Sequence, residues 1–65
     1  MTDKIVRQNA GFIAAESRRA QEHLERSRQL EAEGNERAAK ALQTRASNEM
    51  KRVEKAATTI KDRTK

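Results

Sequence analysis

Few side chains in this sequence are able to do chemistry, and their spacing works against most of it. His23 is the only histidine. A metal site on a helix needs a second ligand three or four residues away, and those positions hold Arg19, Ala20, Arg26 and Ser27, none of which is a suitable ligand. Cys is absent, which removes disulfides and thiolate ligands together. Ser17 and Ser27 are nucleophiles in type only, because one histidine cannot supply them with both a base and an orienting acid. Glu22, Glu25, Glu31 and Glu33 form a dense carboxylate run. They interleave with Arg26 and Arg28 at helical pairing distances, as a surface ion-pair ladder does. No glycine-rich loop is present to cradle a phosphate. The expectation is a protein that is not an enzyme, with no catalytic residue, no cofactor, no metal and no small-molecule substrate.

The remaining chemistry is charge. The chain carries a formal net charge of +5, unevenly shared. Residues 1–34 hold six basic and six acidic side chains, whereas residues 35–65 hold nine basic and four acidic. On a helix, Arg45, Asn48, Arg52, Lys55, Thr59 and Arg63 fall in one stripe, bordered but not entered by Glu49 and Asp62. Such a stripe can follow a phosphate backbone without reading bases, or meet an acidic protein. It is equally the pattern of a solvated face with ordinary surface pairs. The residues expected to meet an anionic partner are Arg45, Asn48, Arg52, Lys55 and Arg63.

These side chains must be positioned by helices. Pro is absent, Gly occurs only at 11 and 34, and Phe12 is the single aromatic. The dominant residues are strong helix formers, a composition of long helix or coiled coil. Small and apolar residues recur at Val6, Ala10, Ile13, Ser17, Ala20, Leu24 and Ser27, in steps of three and four. A second series runs through Ala39, Leu42, Ala46, Glu49, Val53, Ala56 and Ile60, with Glu49 as its discordant member. The two are out of phase: the first, continued past Glu31, reaches Gly34, Ala38, Ala41 and Arg45 and misses Leu42. Between them, Gly34 suits the left-handed residue just past a helix end, and Asn35 suits the cap of the next helix. Glu36 favours the following helix dipole and is spaced to pair with Lys40.

The expected architecture is all-α: an antiparallel two-helix hairpin, helices about 4–33 and 36–63, turn at 34–35. Folding there sets Ser27 against Leu42, Leu24 against Ala46, Ala20 against Glu49 and Met50, and Ser17 against Val53. Ile13 then meets Ala56 and Ala57, and Ala10 meets Ile60. A small residue faces a large one at nearly every level, as close packing requires. Met50 is expected to fill part of the Glu49 level. Gly11 is expected to weaken the first turns by about 1 kcal/mol relative to Ala. Fraying is expected at both ends of what is otherwise a single domain over residues 1–65.

So thin a seam is marginal alone, which points to association, most simply a homodimeric four-helix bundle. Beside the basic stripe the first helix carries Ile5, Phe12, Arg19, His23 and Leu30. The opposite flank holds Ala10, Ala14, Gln21 and Arg28 with Ala39, Gln43, Met50 and Ala57, flat enough for another helix. Ile5, Phe12, Leu30 and Met50 are the expected interface anchors. The function expected is that of a small regulatory or interaction protein, an inhibitor or adaptor of a size common in mobile elements. It would dock on a protein partner through a helix face. A dimeric RNA- or DNA-binding regulator using the basic stripe is the alternative, and a purely structural coiled-coil segment is a third reading. No apolar run approaches the roughly 18 residues of a membrane span. The first residues also lack the apolar stretch of a secretory signal, so cytoplasmic residence is expected.

Overall fold

The computed structural model describes residues 3–64. Helix α1 spans Lys4–Ala32 and helix α2 spans Glu36–Arg63. They lie antiparallel, joined as a hairpin whose backbone extends 50 × 15 × 11 Å. One unbroken helix of this chain would reach roughly 95 Å at 1.5 Å per residue, so the length itself separates hairpin from rod.

The turn forms as its residues dictate. Gly34 takes φ 85°, the left-handed region that L side chains avoid. Its N–H donates to the Glu31 carbonyl at 3.0 Å, and the Asn35 N–H donates to the Leu30 carbonyl at 2.8 Å. These two bonds are the Schellman closure of a helix end and use carbonyls that α1 leaves unpaired. Asn35 then caps α2, its side-chain oxygen accepting from the Ala38 N–H at 3.2 Å. At the other end Asp3 caps α1 by accepting from the Ile5 N–H at 2.8 Å. Asp3 also accepts from Arg63 Nε at 2.8 Å, which ties the open end of the hairpin. Expected fraying at Met1, Thr2 and Lys65 lies outside the described residues. The expected weakness at Gly11 does not interrupt α1, which is continuous through it.

The seam is built of alanine and a few polar groups. Ala20, Ala39, Ala46 and Ala56 are buried, and so are Glu16, Ser27 and Glu49. The α2 series is as the sequence pattern places it, with Glu49 inside rather than discordant. The α1 series is corrected at three levels. Ala10 and Leu24 are exposed, and Ser17 lies beside a more deeply buried Glu16. The inward series instead reads Val6, Asn9, Ile13, Glu16, Ala20, His23, Ser27 and Leu30, all buried or half-buried. Its steps also alternate three and four, so periodicity alone does not separate it from the other. Met50 is 42% exposed and does not fill the Glu49 level.

Local ion pairs also differ from expectation. Among the described residues Glu36 and Lys40 form no ion pair, nor do Arg26 and Arg28 with the neighbouring glutamates. Arg26 donates to Gln29 instead, and Glu31 accepts from Gln43 across the hairpin at 2.6 Å. Among the described residues no helix is long and apolar enough to cross a membrane.

Candidate interaction surface

Two buried carboxylates organise the middle of the hairpin. Glu16 accepts from Arg52 Nε at 2.8 Å across the seam and from Arg19 Nη1 at 3.0 Å on its own helix. Chiefly the Arg52 hydrogen bond, with Arg19 adding to it, holds the Glu16 carboxyl below its ordinary range against the opposing effect of burial. Glu49, from the other helix, lies 2.8 Å from His23 Nδ1, which donates when that nitrogen carries the proton. No buried side-chain polar atom lacks a partner among the described residues. Asp3 is likewise lowered, first by its Arg63 hydrogen bond and then by the Ile5 N–H.

These pairs divide the expected basic stripe. Arg45, Asn48 and Lys55 lie exposed on α2, as the sequence places them. Arg52 and Arg63 share that side but are engaged by Glu16 and Asp3. The stripe therefore contains an acid after all, delivered from α1. Sequence reasoning missed Glu16. The available signal was that Glu16 sits at a seam spacing from Ile13 and Ala20, opposite a helix rich in arginine.

The two flanks of the seam have different surfaces. Arg19 and Arg52 reach Glu16 on one side. Phe12 and Ile5 lie one and two heptads before Arg19, and Arg45 one heptad before Arg52, so all share that flank. Phe12 is 40% exposed and Ile5 38%. Leu30, an expected anchor of the same flank, is half-buried at the seam near the turn and offers less. His23, also expected there, turns inward to Glu49. On the opposite flank Gln43 bonds Glu31. Leu24 lies one heptad before Glu31 and Met50 one heptad after Gln43, which places both exposed side chains on that side.

Two open recesses lie on the surface of the described residues, one lined by Gln21, Leu24, Glu25 and Arg28, another near the turn by Glu31, Glu36, Lys40 and Gln43. Among the described residues no three metal-ligating side chains converge. Comparison with known protein families, curated proteins and solved structures gives no match.

Proposed function

We propose that this chain is a non-enzymatic interaction protein, dimeric as a four-helix bundle and acting in the cytoplasm. It docks on a protein partner through the flank that carries Ile5 and Phe12. One observation supports the reading above others: the single aromatic side chain stands 40% exposed, on the flank that it shares with the exposed Ile5. Arg45 and Lys55 have no ion-pair partner among the described residues. An exposed aromatic on a flank that also carries the unpaired Arg45 suits an apolar pocket with an acidic rim. Docking of so slender a module acts by covering the partner's surface, as an inhibitor or an adaptor does.

A nucleic-acid role draws less support. Arg52 and Arg63, two of the stripe's four cations, already spend their Nε–H groups on Glu16 and Asp3. One aromatic is also a sparse stacking platform for single strands.

A photo-crosslinking residue in place of Phe12, with another at Thr58 as control, tests the reading in host cells. The expected product is a protein adduct at position 12 whose purified partner binds the wild-type chain. Phe12→Ala should weaken that binding by about thirtyfold or more, the loss of a hot-spot side chain. Arg45→Glu should weaken it further at low salt than at high salt. Capture of RNA instead, or a purified partner that binds Phe12→Ala as it binds the wild type, overturns the reading.

A further inference from the structure

Among the described residues the four exposed large apolar side chains form two pairs, Ile5 with Phe12 on one flank and Leu24 with Met50 on the other. The second pair sits on a different kind of surface. On α1 the outward positions of that flank from Ala10 to Leu24 also include Ala14, Ser17 and Gln21, and none is charged. On α2 the outward positions of that flank from Gln43 to Ala57 are Gln43, Ser47, Met50, Glu54 and Ala57, of which Glu54 alone is charged. We propose that this flank is covered by a second copy of the same chain, related by a two-fold axis that crosses the hairpin near Met50. The proposal rests on the dimer reading above and says which face makes the dimer.

Surface area favours a large partner. The hairpin exposes 5223 Å², whereas a folded monomer of its mass exposes about 4,200 Å². The excess of about 1,000 Å² compares with the roughly 800 Å² that a standard interface removes from each partner. The need for burial is equally plain, because among the described residues no large side chain is fully buried in one hairpin. Leu24 and Met50 are the large side chains placed to form such a core.

Charge selects the copy and the face. A two-fold interface sets a patch against itself. On the Phe12 flank it would bring a surface carrying Arg19 and Arg45 against a second copy of that surface, which like-charge repulsion opposes. On the Leu24 flank the charges are Arg28, Glu31 and Glu54, of mixed sign, so two copies of that flank do not repel in the same way. Shape agrees. The small residues of this flank, Ala10, Ala14 and Ser17, leave room for Leu24 of the second copy. Met50 lies close to its own counterpart.

Sedimentation equilibrium over a range of concentrations tests the proposal. Wild type and Phe12→Ala should both behave as dimers. Leu24→Lys with Met50→Lys should weaken dimerisation at least about a hundredfold. A second measurement does not depend on how the double variant folds. Met50→Cys should form an intermolecular disulfide readily under mild oxidation, and Asn48→Cys should not. A dimer that survives the double lysine variant, or that cross-links through position 48 rather than 50, overturns the choice of face and leaves the dimer standing. A wild-type monomer at all concentrations overturns both. Neither outcome bears on docking through Phe12, which its own crosslinking experiment decides.

Discussion

The two helices meet along one seam, yet only α2 meets it with the residues its hydrophobic pattern names. In α2, Ala39, Ala46 and Ala56 are buried and Leu42, Val53 and Ile60 half-buried. In α1, Asn9, Glu16 and His23 take the places that smallness and hydropathy give to Ala10, Ser17 and Leu24. The difference lies in what each helix must satisfy. Glu49 is buried from α2 and needs a donor, which His23 places 2.8 Å away. Arg52 reaches across to Glu16 at the same distance. Leaving Leu24 40% exposed forgoes about 1 kcal/mol of burial. A buried carboxylate left without a partner costs more than that. The rotation of α1 that gives the buried Glu49 its partner therefore wins over the one that hides a leucine.

The sharpest way to break the comparison is at the levels where the helices are alike. Ala20→Leu and Ala46→Leu each force a large side chain into an alanine contact, and each should cost about 1–3 kcal/mol in urea unfolding followed by circular dichroism. A variant of either kind with undiminished stability would mean that the helices are not in close contact there. Next come Leu42 and Leu24, compared in a Met50→Lys background that removes the proposed dimer contact. Leu42→Ala should cost about 2 kcal/mol, and Leu24→Ala under about 1 kcal/mol. The reverse order would restore the register that the hydrophobic pattern favours.

Gly11→Ala addresses α1 alone. A Cβ built there meets nothing within 4 Å, so the variant should gain about 1 kcal/mol from helix propensity. A loss on thermal melting would reveal a role for the glycine beyond the helix.

The smallest effect concerns acid. Glu16 and Asp3 both have carboxyls lowered in the folded hairpin. Their contribution is complete above pH 4.5, the ordinary Glu value. It is lost as pH falls through the depressed folded values, because protons then bind the unfolded chain more readily. Both pairs involve exposed arginines and are screened by salt. Stability should therefore decline modestly below pH 4.5, and Glu16→Gln should flatten that decline. An unchanged acid limb in Glu16→Gln would remove Glu16 from the account.

Much of this hairpin could be read before it was seen, and the limits fall at identifiable residues. Gly34 and Asn35 were legible because capping is local: a left-handed glycine and a side-chain acceptor act within five residues of themselves. The α2 seam was legible because its small and apolar residues leave one inward face. The α1 seam was not, since Ser17 with Leu24 and Glu16 with His23 fit the same spacing. Of the basic stripe, Arg45, Asn48 and Lys55 are exposed on α2. Arg52 and Arg63 lie where expected, but the carboxylates that engage them come from residues far away in the chain.

The sequence by itself determined two helices, their ends, the turn between them and the uneven sharing of charge. Each of these depends on neighbours within a turn or two of helix. Only the tertiary structure decided which edge of α1 faces inward, which arginines are already engaged, and that Leu24 and Met50 stand outside on one flank. Those outcomes depend on carboxylates and their donors that meet only once the chain has doubled back, where the need to pair a buried charge outweighs the preference of any single side chain.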